Sequence, residues 1–172
     1  DQARSVAAEI GGIAVECDVR SDEQGEAAVK AARDAHGAAR ISVCCAGVSE
    51  SRLMLDRNGP APLADHRRIV EIHLIGTYNI NRLVAADMAD CDPVADTAER
   101  GVIINTASIA GYDGPPGAIS YNAAKAAIAA MCLPMARELS RHAIRVMAIA
   151  PGIFETAMVA GLRQNYVDEM TA

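Results

Sequence analysis

The sequence lacks the features of aromatic-rich, nucleic-acid-binding and membrane-spanning proteins. It contains no Trp and one Phe among 172 residues, so aliphatic and small side chains must build the core. The net charge is −6 and no cluster of Lys or Arg occurs, which argues against nucleic acid or an anionic membrane as a partner. No apolar run approaches the roughly 20 residues that cross a bilayer. We therefore expect one globular domain over residues 1–172.

The cysteines also lack the spacing of a metal site or of a disulfide framework. Their number, five, is odd, and no Cys-x-x-Cys pair occurs. We predict no bound metal and a reducing, cytoplasmic environment, because disulfide-dependent and zinc-binding domains need paired cysteines.

What is present is an alternation of short apolar runs and helical patterns. Strands are predicted at Ile13–Asp18, Ile41–Ala46, Val102–Thr106 and Ile144–Ala150, and helices at Asp22–His36, Leu63–Met88 and Ser120–Ser140. Continuous apolar strands between helices indicate a parallel sheet covered on both faces. The predicted fold class is α/β, a doubly wound parallel sheet of the Rossmann type.

Proline and glycine mark the segments that we expect to be irregular or bent. Gly59, Pro60 and Pro62 predict a loop over residues 49–62 without regular structure. Pro134 removes one backbone donor from the last predicted helix, which predicts a local bend there. Residues 155–172 have the apolar spacing of a mobile helix that covers a substrate, although the same spacing also suits an ordinary core helix.

Tyr121 and Lys125 carry the strongest chemical signal. Residues four apart on a helix share a face, with Cβ atoms about 5–6 Å apart, and an ammonium there favours the phenolate. Ser108 follows the third predicted strand, 13 residues before Tyr121. Active sites of open α/β sheets lie beyond the carboxyl ends of the strands. A Tyr and a Lys at this spacing also occur by chance, but the Ser at a strand end favours proton transfer.

Three ordered motifs resemble the short-chain dehydrogenase/reductase family. They are Asn-Thr-Ala-Ser at 105–108, Tyr121-x-x-x-Lys125, and Pro151-Gly152-x-x-x-Thr156. Within the family, the sequence around these motifs most resembles that of the 3-hydroxyacyl-CoA dehydrogenases. The resemblance implies hydride transfer between a nicotinamide cofactor and a secondary alcohol or ketone, with Tyr121 as general acid/base and Ser108 as carbonyl stabiliser. Lys125 would also hold the nicotinamide ribose.

The resemblance also implies a cofactor site. The residues expected to line it are Asp18, Val19, Cys45, Ala46, Gly47, Tyr121, Lys125, Pro151, Gly152, Ile153 and Thr156. Asp18 would bond the adenine amino group, although it could equally cap the following helix. NAD is favoured, and NADP stays open. A homo-oligomer, dimer or tetramer, is expected through the helices at 63–88 and 120–140.

Two stretches depart from the family pattern. Cys44-Cys45-Ala46-Gly47 stands where the family has Asn-Asn-Ala-Gly, and we interpret the two thiols as small buried hydrophobes. Gly47 would allow a close approach of the cofactor to the backbone. His73 stands where the family has a catalytic Asn. It could be a substitute proton relay, a neutral packing residue, or the mark of a lost activity, in that order of preference. As a relay, it predicts that His73→Asn retains turnover with a shifted pH profile.

The family's glycine-rich phosphate-binding signature is absent from the start of the sequence. We therefore expect a fold that is incomplete at both ends, without that loop and without the last strand. The strand at 13–18 would then have no neighbour, because two missing strands normally separate it from the rest. Two alternative functions stay open: a 3-oxoacyl reductase of the fatty-acid type, and a non-catalytic dinucleotide-binding relative.

Overall fold

The structure is a computed structural model that describes residues 2–49 and 51–154. Its centre is a parallel sheet of three strands in the order β1-β2-β3, formed by Ile41–Cys44, Gly101–Thr106 and Ile144–Ile149. The register places Val43, Ile104 and Met147 side by side across the sheet. The parallel α/β class is confirmed, and the three strands lie within two residues of their predicted bounds.

Five α-helices lie within the described residues, around the sheet or before it. They are α1 (Gln2–Ile10), α2 (Asp22–His36), α3 (Leu63–Val70), α4 (Gly76–Ala89) and α5 (Ile119–Leu139). Ser21 caps α2, because its hydroxyl accepts from the backbone amide of Gln24, and Gly37 ends this helix at a positive φ of 81°. Helix α5 is continuous, with Pro134 inside it.

The predicted helix over residues 63–88 is divided by a π-helical turn at Glu71–Ile75. A π-turn inserts one extra residue into a helix, and such insertions are frequent at functional sites. The hydrophobic spacing on either side still follows the α-helical period, so the sequence pattern does not reveal it. The turn contains His73, which is buried.

The prediction of a strand at Ile13–Asp18 is wrong, because this segment is irregular. Its apolar side chains Ile13 and Val15 are exposed. A strand needs a neighbour for its amides and carbonyls, and none pairs with this segment within the part of the chain that the structure describes. The expectation that residues 49–62 lack regular structure is also wrong. Leu55–Asp56 and Gly59–Pro60 form a short antiparallel ribbon there.

The core lies between α4 and the sheet. Val84, Ala85 and Met88 pack against Ile103 of β2 and Ile144 of β3. The Sδ of Met88 lies so near Gly101 that a Cβ there would be 2.6 Å away, which explains why the strand begins with glycine. This packing fixes α4 on one face of the sheet and thereby sets the position of the π-turn that precedes it.

Candidate active site

The site forms where the parallel strands β1 and β2 end. Ser108 follows β2, is buried, and begins a short 3₁₀ turn at Ile109–Gly111. Its Oγ accepts a hydrogen bond from the backbone amide of Ala110 at 3.1 Å, which leaves the hydroxyl proton available for another acceptor. The turn packs closely on α5, because a Cβ at Gly111 would lie 2.9 Å from the backbone nitrogen of Ala126. Ser108 therefore lies beside the helix that carries Tyr121 and Lys125.

Lys125 extends from α5 back to the end of β2. Its Nζ donates to the carbonyl oxygen of Thr106 at 2.7 Å and lies 5.6 Å from the centre of the Tyr121 ring. The residue is only 5% exposed, and burial lowers the pKa of its ammonium, while the Cys45 thiol nearby acts in the opposite direction. An ammonium held by a backbone carbonyl keeps two further protons to donate.

His73 also contacts the ring of Tyr121. The two rings meet edge to face, with centroids 5.3 Å apart and an angle of 88° between planes. The His73 Nε2 lies 2.8 Å from the carbonyl oxygen and 3.1 Å from the amide nitrogen of Val48. Burial lowers the pKa of His73, the bond to Val48 raises it, and Lys125 lowers it further. The ring is thereby held against the loop that follows β1.

Gly47 has a role that the sequence reasoning did not predict. A Cβ at this position would overlap the Cε1 of His73, so the imidazole occupies the space that a side chain would need. We expected this glycine to admit a cofactor to the backbone. The structure adds a second reason, the close approach of a side chain from the π-turn.

The two cysteines after the first predicted strand differ in their surroundings. Cys44 is partly buried and its thiol bonds the side-chain oxygen of Asn81 at 3.1 Å. Asn81 in turn donates to Asn105 at 2.9 Å, which forms a buried polar chain between β1, α4 and β2. Cys45 is exposed and its sulfur lies 3.5 Å from the Thr106 hydroxyl. The interpretation of both thiols as buried hydrophobes is therefore wrong for Cys45, which follows the last residue of β1.

Asp18 and Val19 lie at the start of the turn into α2. The Asp18 carboxylate is paired with Arg20 at 2.6 Å, and hydrogen bonds from the Arg20 side chain and backbone lower its pKa to about 2. Asp18 does not cap α2, because Ser21 has that position. The Val19 carbonyl accepts from the Asn79 side chain of α4 at 2.9 Å. Asn79, which the sequence analysis did not single out, thereby joins α4 to the turn before α2; an Asn inside a predicted helix, where this residue is unfavourable, is the sequence signal.

The segment after β3 completes this edge of the sheet. The Pro151 carbonyl accepts from the backbone amide of Ile109 at 3.1 Å, which joins this segment to the Ser108 turn. Gly152 lies 3.7 Å from Ile109, measured from an ideal Cβ position, and Ile153 is partly buried. Thr156 and the predicted helix at 155–172 lie outside the described residues.

Two further findings concern metals and membranes. Among residues 2–49 and 51–154, no group of three or more His, Cys, Asp or Glu side chains is arranged to hold a metal ion. In the same ranges, no helix combines the length and the apolar character that crossing a bilayer requires. Of the other histidines, His36 and His66 are exposed and His142 is partly buried.

Comparison with known proteins now decides the family. The family model described as short chain dehydrogenase matches residues 1–167. The chain belongs to the short-chain dehydrogenase family. Every motif that suggested the resemblance lies within the matched residues.

Three relatives in this short-chain dehydrogenase family show how much of the fold is matched. The 3-hydroxyacyl-CoA dehydrogenase type-2 of Drosophila melanogaster is 40% identical over 164 residues, 93% of this chain and 64% of the relative. The crystal structure of the same enzyme type from Mycobacterium avium is 35% identical with a TM-score of 0.86, over 98% of this chain and 66% of that one. A 7α-hydroxysteroid dehydrogenase complexed with NADH and 7-oxo glycochenodeoxycholic acid is 28% identical with a TM-score of 0.83, over 97% and 63%. The chain thus spans about two thirds of the length of these relatives.

Proposed function

We propose that the whole protein is a nicotinamide-dependent dehydrogenase that oxidises a 3-hydroxyacyl-CoA, or a similar secondary alcohol, to the ketone and catalyses the reverse reduction. The observation that carries this proposal is the position of Tyr121 at the carboxyl edge of the sheet, where the Lys125 Nζ lies 5.6 Å and the centre of the His73 imidazole 5.3 Å from the centre of its ring. The similarity to two 3-hydroxyacyl-CoA dehydrogenases of type 2 favours this substrate class.

The catalytic residues that we propose are Ser108, Tyr121 and Lys125, and His73 is the fourth residue of the site. The Tyr121 phenol exchanges a proton with the substrate oxygen, and the Lys125 ammonium lies 5.6 Å from the centre of its ring. The Ser108 hydroxyl donates to the same substrate oxygen, since its own oxygen already accepts from Ala110. The bound cofactor supplies or accepts the hydride at the substrate carbon.

The carboxyl edge of the sheet fits a dinucleotide. Cys45 and Ala46 are exposed there, and Lys125 has protons left for ribose hydroxyls. The Asp18 carboxylate, which stays ionised at neutral pH, can accept from an adenine amino group. The proposed cofactor-binding set is Asp18, Val19, Cys45, Ala46, Gly47, Tyr121, Lys125, Pro151, Gly152, Ile153 and Thr156. NAD is proposed over NADP, because the 7α-hydroxysteroid relative was solved with NADH.

The test is turnover by the full-length protein. We expect acetoacetyl-CoA to be reduced with NADH and followed by the absorbance of the reduced nicotinamide. Matched assays use NADPH as the cofactor and a 3-oxoacyl carrier-protein thioester as the substrate. They distinguish the proposed dehydrogenase from a 3-oxoacyl reductase of the fatty-acid type. Cofactor binding without turnover on a broad panel of ketones would contradict the proposal and favour a non-catalytic dinucleotide-binding relative.

Assembly and location are proposed with it. An apolar face with large exposed parts runs along the π-turn, α4 and α5, and it supports a homo-oligomer, dimer or tetramer; it consists of Leu74, Ile75, Tyr78, Ala127, Ala130, Met131 and Pro134. The five free cysteines favour the cytoplasm. Residues 1–172 are proposed as part of one Rossmann-type domain, since one family model covers nearly all of them. Light scattering of the full-length protein and microscopy of a fluorescent fusion test these points.

A further inference from the structure

His73 carries a buried atom without a partner. Its side chain is 1% exposed, and its Nδ1 is the buried side-chain nitrogen that lacks a hydrogen bond among the described residues. Buried polar groups in folded proteins are nearly always bonded, and one left alone costs about 1–3 kcal/mol. An orphaned nitrogen at a catalytic position therefore indicates a bound donor.

The contacts of the other ring nitrogen identify the tautomer. The Nε2 lies 2.8 Å from the Val48 carbonyl oxygen, which is shorter than its 3.1 Å distance to the Val48 amide nitrogen. A bare Nε2 would accept from the Val48 amide but would place two lone pairs against each other at the shorter distance to the carbonyl, whereas a protonated Nε2 donates to the carbonyl and meets the amide hydrogen only at the longer distance, so we assign the proton to Nε2. The neutral ring then has an unprotonated Nδ1, which is an acceptor.

The charged and titratable groups near His73 disfavour a second proton on the ring. On α5, Tyr121 contacts the ring and Lys125 is the cation that lowers the pKa of His73; the Cys45 thiol after β1 interacts with Lys125. On its own π-turn, Glu71 is exposed and faces Arg20 at 3.9 Å. Burial acts in the same direction as Lys125.

A relay through this ring would have no exit. It would take up a proton at Nδ1 and release the other from Nε2, but Nε2 donates to a backbone carbonyl in a place that is almost fully buried. A backbone carbonyl does not accept a proton covalently near neutral pH. Releasing the Nε2 proton would require breaking the contact that holds the ring against residues 47–48.

We propose that His73 is a positioning residue, a neutral Nε2–H imidazole that binds Val48 and the Tyr121 ring and whose Nδ1 accepts from a water molecule bound in the site. The inference rests on the proposed function, because it places the residue beside the proton-transfer tyrosine. It differs from the relay expected from the sequence, since the ring keeps its proton throughout turnover.

Nitrogen NMR of the full-length protein labelled at histidine tests the tautomer without any turnover. The sequence contains four histidines, and the signal lost in His73→Asn assigns this one. We expect an unprotonated Nδ1 and a protonated Nε2 that do not change from about pH 8 to about pH 5. An Nδ1–H tautomer, or titration of the signal within that range, would overturn the proposal.

Kinetics separate positioning from relay. The His73→Asn amide can bond both Val48 groups, so we expect the acid limb of the kcat/KM profile to stay in place. His73→Leu fills the space without hydrogen bonds, and we expect kcat to fall about 100-fold with little change in KM, as for a misplaced catalytic group. His36→Asn, at an exposed position, is the control. A displaced acid limb in His73→Asn would establish the relay instead. The expected NMR result together with inactivity of the unmodified protein would refute the proposed function and leave the tautomer standing.

Discussion

The residues around Tyr121 form two groups, here called flanks, that differ in how closely they follow the family pattern. The serine flank, formed by Ser108 and Lys125 with the Thr106 carbonyl, keeps the side chains of that pattern. The histidine flank, formed by residues 44–48 and His73, has thiols and an imidazole where the family has amides. Both flanks nevertheless place donors and acceptors at the same sheet edge. On the histidine flank, side chains other than amides therefore supply the hydrogen bonds at this edge.

The two flanks also differ in what supports them. The serine flank depends on backbone packing, because the turn at Ile109–Gly111 lies directly on α5. The histidine flank depends on a matched pair, since the imidazole of His73 occupies the space left by the missing Cβ of Gly47. A substitution on the first flank should therefore affect chemistry, and one on the second should affect stability and chemistry together.

The largest effect is expected for Tyr121→Phe. Removing the phenol oxygen removes proton transfer, and we expect kcat of the full-length protein to fall by about 10²–10⁴-fold, with cofactor binding retained. The assay is reduction of acetoacetyl-CoA, and titration of NADH by fluorescence reports binding. Tyr112→Phe, at a largely exposed tyrosine, is the matched control and should change neither. Equal losses in both variants would remove Tyr121 from the proposed mechanism.

The next effect is expected for Gly47→Ala. The added methyl group overlaps the His73 ring, so we expect the free energy of unfolding to decrease by about 1–3 kcal/mol, with a loss of activity. Gly12→Ala is the control, because its Cβ would meet no atom nearer than 3.5 Å. Urea unfolding measures the free energy of unfolding of both variants. Combining Gly47→Ala with the smaller side chain of His73→Asn should recover part of the loss; strict additivity would show that the two positions do not interact.

A smaller effect is expected for Cys44→Ala on the histidine flank. The change leaves the Asn81 oxygen without its thiol donor, and we expect a loss of about 1 kcal/mol in unfolding free energy. Cys44→Ser keeps a donor and should lose less. Cys17→Ala, in the irregular segment before α2, is a comparison that should be nearly neutral. Equal denaturation midpoints for the Ala and Ser variants of Cys44 would show that the thiol acts by volume alone.

The smallest effect is expected in the pH dependence of stability. The pKa of His73 is lowered in the folded state, so the unfolded chain binds a proton first as the pH falls. The contribution of the neutral His73 ring to the free energy of unfolding is complete above about pH 6.5, the ordinary pKa of histidine. It declines as the pH falls toward the lower pKa that His73 has in the folded protein. Each unit by which the pKa of His73 is lowered corresponds to about 1.4 kcal/mol of unfolding free energy. Thermal melts from pH 8 to pH 5 should show a shallower decline in His73→Asn, whereas His36→Asn should follow the unmodified protein.

Sequence reasoning succeeded where a local pattern and a neighbouring strand agree. The apolar runs that begin at Ile41, Val102 and Ile144 form the sheet, because each has a partner for its backbone groups. The run at Ile13–Asp18 has the same pattern and forms no strand. Periodicity reports which faces can be buried, but pairing depends on another segment. Cys45, which was expected to be buried, is exposed directly after the last residue of β1.

The spacing of Tyr121 and Lys125 on one helix, and of Ser108 after a strand, was determined by the sequence alone, because helical period and strand ends are local properties. The tertiary structure decided which residue from a distant segment contacts the tyrosine ring. His73 lies 48 residues before Tyr121, in a π-turn that the periodic pattern of the sequence does not predict. It contacts Tyr121 because α4 is packed against the sheet. Contacts between distant segments depend on the packing of whole elements, and for that reason the protonation and bonding of His73 follow from the fold.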